Sequence, residues 1–454
     1  MSSFDHSHEL PALDPRVAGA AAEGCRESRL LLSRRSMLGI TASLFSSAFL
    51  PDFAKADTDP QARFFIVMLR GGMDGIGMVI PKLDPHYEEM RRELALPDSA
   101  TLSLGSDFAL HPALSTVHSM FGASDAVVIP AAGLPLRNRS HFECQDNLEN
   151  GLPVNLPNAT GWLNRLFGAL PAGDPVRKRF GLEIGEAPMI LRGPEPVLGW
   201  SPTWYTKSNP DVLARLEPAY KSLAPELWDS LQRGLAADAL ATASGAGTSN
   251  EISVLRKGFI GAARLLRAST GPRIAALTVD GWDTHADQGG AAGQFRDRLA
   301  ELDVALNDIK AELGPVWSKT VVCCVTEFGR TVRTNGDSGT DHGVGTAALL
   351  VGGALKGGIV GDWPGIAENQ LYEGTALTPT VDLRAVFKGV LRDHIGVPLD
   401  ILNTKVFPES AAVKPLGKLV DSPVTTTARV AASSSPLTNE EVAPILRYRK
   451  RYGS

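Results

Sequence analysis

Four apolar runs, each cut off by a polar cluster, do most to limit what this chain can fold into. Arg63 to Leu69 ends in Arg70-Gly71-Gly72-Met73-Asp74-Gly75. Asp125 to Pro130 leads towards Arg137-Asn138-Arg139-Ser140-His141. Ile274 to Val279 opens into Asp280-Gly281-Trp282-Asp283-Thr284-His285, and Thr320 to Thr326 into Glu327-Phe328-Gly329-Arg330. Runs this continuous, without alternating polar residues, belong to strands of a parallel sheet covered on both faces. Between them, apolar positions 295, 299, 302, 306 and 309 recur at helical spacing, and 252–267 reads the same way. Alternating strands and covering helices predict an α/β fold, a three-layer αβα sandwich with a mostly parallel central sheet. Ligands of such sheets gather at the carboxyl ends of the strands, which is where all four polar clusters lie.

Composition narrows the function classes. The 454 residues carry 45 Lys+Arg against 50 Asp+Glu, a net charge of −5, so there is no basic excess for nucleic acid. Four cysteines are too few for a disulfide scaffold. Cys323 and Cys324 are adjacent in an apolar strand, so they are expected to be buried on opposite faces.

The N-terminal segment, residues 1–56, reads as an export signal. Arg34-Arg35 precedes a moderately apolar stretch that ends at the small-x-small site Ala54-Lys55-Ala56. The arginine pair matches the twin-arginine pattern, so the expected handler is the Tat translocase and the expected location periplasmic or secreted. The apolar stretch is too short and too rich in Ser and Thr for a stable membrane span. One large domain is expected over 57–410, with an insertion at about 171–250 whose Ala- and Gly-rich end (236–250) reads as a flexible connector. Residues 411–454 read as a flexible tail with a short basic helix from Asn439 to Tyr452.

The chemistry-bearing residues concentrate at the strand ends. Asp74, Asp283, His285, Glu327, Asp341 and His342 are of the types that hold divalent zinc or manganese. Gathered at one sheet edge they could hold up to two ions, as in-line displacement uses. Each taken alone has a plainer reading, a turn aspartate or a satisfied histidine. Ser140 heads a helical stretch, a position that suits an N-cap and equally a nucleophile facing an incoming anion. Three other strings carry nothing: Gly336-Asp337-Ser338-Gly339 lies in a polar loop, the Gly352–Gly358 run lacks phosphate-loop spacing, and no Gly-x-Gly-x-x-Gly follows a strand.

The ordered set Leu-Arg-Gly-Gly-Met-Asp-Gly, Arg-Ser-His-Phe, Gly-Trp-Asp-Thr-His, Thr-Glu-Phe-Gly-Arg-Thr and Thr-Asp-His-Gly resembles the exported bacterial family known as domain of unknown function 1501. That family is grouped with the alkaline phosphatase and sulfatase superfamily. The resemblance runs from about residue 61 to 405. It implies an alkaline phosphatase-like core, a two-metal site and hydrolysis of a phosphate or sulfate ester, on a small molecule or a polymer. By position, Asp74 resembles the N-terminal metal aspartate and Ser140 the nucleophile. Asp283 and His285 resemble the ligand pair of one metal, with Asp280 competing for the carboxylate role. His342 resembles the last metal histidine, with Asp341 either a ligand or the group that orients a ligand. Glu327 stands where an Asp-His pair is usual, and Phe328 replaces the histidine. Arg330 is placed either to hold an ester oxygen or to form a salt bridge. The Cys/Ser-x-Pro-x-Arg string of formylglycine sulfatases is missing. A non-catalytic exported binding or assembly protein that keeps the fold is the alternative.

Overall fold

The computed structural model describes residues 62–421, apart from 155–158, 186–187, 203–209 and 248–251. The expected export signal and the basic helix at 439–452 lie outside the described residues. The strands, in chain order, are β1 (Arg63–Leu69), β2 (Val79–Pro81), β3 (Leu102–Ser103), β4 (Phe108–Leu110), β5 (Ala126–Gly133) and β6 (Gly181–Ile184). They continue with β7 (Val197–Trp200), β8 (Ile274–Val279), β9 (Thr320–Val325), β10 (Thr346–Val351), β11 (Gly358–Ile359) and β12 (Val381–Asp382).

Nine of them form one sheet in the order β11-β5-β10-β9-β1-β8-β6-β7, with β12 also on β5; β2, β4 and β3 make a small separate sheet. In the large sheet β1 pairs in parallel with both β8 and β9. Only β10 runs against its neighbours, β5 and β9. The ends of β1, β5, β8 and β9 therefore share one edge, and the four polar clusters share it with them.

The pleat explains why these runs are apolar without alternation. Phe65, Val67 and Leu69 of β1 join one hydrophobic cluster, while Phe64, Ile66 and Met68 join another on the opposite face. Cys324 and Cys323 divide the same way, buried as expected. The first face is covered by the helices Ser115–Gly122, Val254–Arg267 and Gln294–Leu313. The second is covered by His141–Asn150, Trp162–Ala169 and Leu383–Asp393. This is the three-layer arrangement the alternation predicted.

Two regions differ from expectation. Region 171–250 extends the central sheet through β6 and β7, and Pro225–Ala243 is a helix. Ala236 to Ala243 is thus helical over most of the expected connector. Alanine has the highest helix propensity, and Ala237 and Ala241 pack into the core. Residues 411–421 also pack on the domain: Leu419 and Val420 are buried, and Lys356 N–H donates to the Leu419 carbonyl at 3.0 Å.

Candidate functional site

β5 delivers the chain to Ser140 and into the helix His141–Asn150, whose first residue points at the ends of β8 and β9. His141 Nδ1 lies 2.8 Å from Glu327 Oε1, and His141 Nε2 lies 3.0 Å from His342 Nε2. Asp283 completes a triad: its carboxylate oxygens lie 3.4 Å from His342 Nε2 and 3.5 Å from His141 Nε2. Ligand atoms of His141, Asp283 and His342 all fall within 4.8 Å of one another, the one such group among the described residues. His285 approaches from the solvent side, with Nε2 2.9 Å from His342 Nε2 and 3.0 Å from Asp283 Oδ1.

The hydrogen bonds on the far side of each ring fix what these nitrogens can do. Glu327 is ionised and can only accept, so His141 Nδ1 carries the proton. His342 Nδ1 faces the Arg139 carbonyl at 2.8 Å, and His285 Nδ1 faces Asp341 Oδ1 at 3.3 Å. Glu327 and the Arg139 carbonyl are acceptors, so in the neutral rings the Nε2 atoms of His141 and His342 hold lone pairs that face each other. His285 lies between two carboxylates, Asp341 at Nδ1 and Asp283 at Nε2, and can turn a lone pair to either side. Converging lone pairs require a cation between them, either a proton or a metal ion. In a tetrahedral zinc shell with bonds of ~2.0–2.1 Å, neighbouring ligand atoms lie roughly 3.3–3.4 Å apart. The triad spacings bracket that value, so the donor set fits one divalent ion with a side open.

The carboxylates make this a cation site, for a proton as for a metal ion. Burial alone would lower His141, but the carboxylates of Asp283 and Glu327 raise it to about 9. Burial works to raise Asp283, yet hydrogen bonds from His141 and His342 and the Arg330 guanidinium hold it well below the usual carboxylate range. Glu327 is fully buried, and bonds from His141, Gln145 and Gly71 outweigh that burial and lower it. It accepts from Gly71 N–H at 2.9 Å, Gln145 Nε2 at 2.9 Å and the Thr326 hydroxyl at 2.9 Å. Glu327 therefore orients His141 from behind. Asp341, lowered chiefly by its bond from Asn335, does the same for His285 from an exposed position.

Phe328, the residue in place of an expected histidine, is buried with its ring 4.7 Å from His141 and 4.9 Å from His342, centroid to centroid. It walls the two imidazoles in. Gly71 and Gly72 make room for this packing. Both have positive φ, and a Cβ on Gly71 would sit 2.5 Å from Asp283 N, one on Gly72 2.5 Å from the Phe328 ring.

Four expected site residues lie behind or apart from the ligand group: Glu327 and Asp341 stand behind histidines, and Asp74 and Arg330 are committed to other partners. Asp74 is buried against Arg91, caps its own short helix through Gly77 N–H at 3.1 Å, and accepts from Gln288 Nε2 at 2.6 Å. Its carboxylate is neutralised by Arg91 and stands apart from the triad. Arg330 is fully buried and donates to the carbonyls of Gly71 and Gly72, both at 2.6 Å, and of Trp282 and Thr340, at 3.1 and 3.2 Å. It also pairs with Asp283 Oδ1 at 2.5 Å. Of the two placements expected for Arg330, the salt bridge is the one found; the side chain holds Asp283 in place.

Ser140 lies at the N-cap position with extended backbone, but its side chain makes no capping bond. It stands between Arg139, whose carbonyl meets His342, and His141. His141 itself is the residue that sequence reasoning missed. Its signal was the helical spacing 141 and 145, which places His141 and Gln145 on one face, both reaching Glu327.

Residues 71–401 match the family described as "Protein of unknown function (DUF1501)". No protein with a curated description matches. Among solved structures, similarity is found to a phosphonate monoester hydrolase of Agrobacterium radiobacter: 8% identity, TM-score 0.32, 73% of each chain covered. The sulfatase PsFucS1 from Pseudoalteromonas sp. gives 11% identity and TM-score 0.36, covering 80% of this chain and 73% of that one. The C-terminal periplasmic domain of EcEptC from Escherichia coli, in complex with Zn, gives 9% and 0.30, covering 66% and 75%.

Proposed function

From the premise that this chain belongs to the DUF1501 family of proteins of unknown function, we propose that it is an exported, metal-dependent hydrolase of a phosphate or sulfate ester. The observation that carries the proposal is the meeting of three imidazole Nε2 atoms and the Asp283 carboxylate beside a serine not spent on capping.

His141, Asp283 and His342 would hold the ion, with His285 at its solvent side. When bound there, a divalent ion supplies Lewis-acid polarisation of an ester oxygen. The remaining work belongs to the protein. Glu327 and the Arg139 carbonyl keep His141 and His342, both half-buried, in the ligand tautomer, and Arg330 keeps Asp283 aimed. Ser140 is the nucleophile: its oxygen bonds to phosphorus or sulfur as the ester C–O oxygen departs as the alcohol, taking up the serine proton. Water then cleaves the seryl ester to release phosphate or sulfate and restore the hydroxyl. The amides at the start of its ten-residue helix favour the anion that approaches. Phe328 and the glycine pair Gly71-Gly72 exclude water from the inner side of the triad.

The test is turnover of aryl phosphates and aryl sulfates by protein loaded with zinc or manganese. Turnover is expected from the wild type and is expected to collapse in Ser140→Ala; unchanged turnover in that variant removes Ser140 from the nucleophile role. Export is tested by replacing Arg34 and Arg35 with lysine and fractionating cells, the expected result being retention in the cytoplasm. A non-catalytic binding or assembly protein is the second reading. It is favoured by Arg330, whose donors are turned inward and do not offer an anion a fork. Protein that holds metal tightly yet turns over neither ester class supports this second reading.

A further inference from the structure

The triad is drawn from one helix start and two loops, and the two loops are joined by a side chain with no part in the chemistry. Gln288 is buried, and its amide has only one possible orientation. Nε2 donates to Asp74 Oδ2 at 2.6 Å, where a carboxylate can only accept. Oε1 is left to accept from the hydroxyls of Thr284, at 2.8 Å, and Thr340, at 2.6 Å. Thr284 lies between Asp283 and His285, and Thr340 directly precedes Asp341-His342. A backbone bond from Thr340 N–H to the Thr284 carbonyl, 3.2 Å, runs beside them. Arg91 anchors the far end of the chain, pairing with Asp74 and reaching the Val332 carbonyl at 3.3 Å.

We infer that Gln288 is a positioning residue for the metal-holding triad: by bridging the Thr284 and Thr340 hydroxyls it fixes the residues next to Asp283 and His342 against each other. The inference rests on the metal-binding reading above. It gives Asp74, expected as a ligand, a different purpose, which is to fix the amide that fixes both loops. Loop placement matters here because the ligand atoms must stay within a few tenths of an ångström of their shell. Backbone bonds from Asp287 and Gln288 N–H to the Asp337 and Ser338 carbonyls, Asn335 on the His285 carbonyl, and Arg330 also tie these loops. Gln288 is the side chain that holds the two threonines next to the ligands.

The experiment titrates cobalt(II) into the metal-free full chain and records the visible d–d absorption, a direct reading of ligand geometry, together with the melting temperature. Gln288→Met keeps length and removes every side-chain hydrogen bond, leaving the backbone bonds to Ser338 and Phe295. Lys388→Met is the control. Lys388 is equally buried and holds Asn403, Ser410 and Val413 through bonds of 2.7, 2.6 and 3.0 Å, sharing none with the site. Both variants are expected to melt earlier. Only Gln288→Met is expected to lose cobalt affinity, about tenfold or more, with an altered absorption band. If Gln288→Met does not fold, Thr340→Val removes one arm alone and is expected to alter the band in the same sense. A cobalt titration and spectrum in the Gln288 or Thr340 variant that superimpose on the wild type overturn the inference, as does equal loss in Lys388→Met. Wild-type protein that binds no cobalt overturns the metal-binding reading itself.

Discussion

Replacing Glu327 by glutamine removes a charge while leaving its hydrogen bonds nearly in place. Glu327 Oε1 accepts from Gly71 N–H, His141 Nδ1 and Gln145 Nε2 at 2.8–2.9 Å. A glutamine carbonyl at that position accepts the same three. Its amide nitrogen then faces the Thr326 oxygen, which can accept in place of donating. The fold is therefore expected to survive, and His141 keeps its tautomer but loses the negative charge behind it. Changing an outer partner of this kind costs ~10–100-fold in metal affinity, about 1.4–2.7 kcal/mol. A second effect opposes it. Glu327 is one of the groups that raise His141 to about 9, so the wild type at neutral pH must first displace a proton. Glu327→Gln weakens that competition. The loss is thus expected in full above pH 9 and is expected to shrink towards neutrality. The assay is zinc affinity by competition with a chromophoric chelator at several pH values, with imidazole titration by NMR on the metal-free protein. A folded variant with wild-type zinc affinity above pH 9 refutes Glu327 as the group that orients and charges His141.

Three further outcomes are expected. Apparent zinc affinity of the wild type rises about tenfold per pH unit from neutrality and flattens above His141's value of about 9; a pH-independent affinity contradicts the displaced proton, and the same titration detects it. His394 is buried with Nε2 on the Arg63 carbonyl at 2.9 Å, and burial lowers it to about 4. Since the unfolded chain binds this proton near 6.5, stability falls as pH drops below that value and the loss is complete below about 4, reaching about 3 kcal/mol. Urea unfolding across this range shows the slope, which His394→Gln is expected to lose. Asp74→Ala leaves the Arg91 guanidinium buried without its partner and is expected to cost ~3–5 kcal/mol, read as a lowered urea midpoint; an unchanged midpoint contradicts the buried pair.

The strands were legible because burial on both faces removes the polar alternation, and that leaves a mark in one dimension. Asp283 and His342 were legible for a related reason: each follows a strand that ends at the shared edge, or the loop that leaves it. Asp74 has the same local signature and a different fate. Both pair with an arginine, Asp74 with Arg91 and Asp283 with Arg330. What separates them is that the three-dimensional path of the chain brings Asp283 against His141 and His342 and Asp74 against Gln288. Arg330 reads as a substrate arginine until the carbonyls of Gly71, Gly72, Trp282 and Thr340 are seen around it. His141 was overlooked beside a serine with a more familiar chemical role. The helix Pro225–Ala243 was hidden by small residues that mark both connectors and tightly packed helices, and only its contact with the sheet decides between them.

The central claim is that His141, Asp283 and His342 hold a divalent ion. Its most direct test is elemental analysis of the protein purified under metal-replete conditions, beside His141→Ala and His342→Ala. The wild type is expected to retain one ion per chain through dialysis, and both variants to lose it while staying folded. A wild-type chain that emerges without metal, or variants that retain it undiminished, contradict the claim.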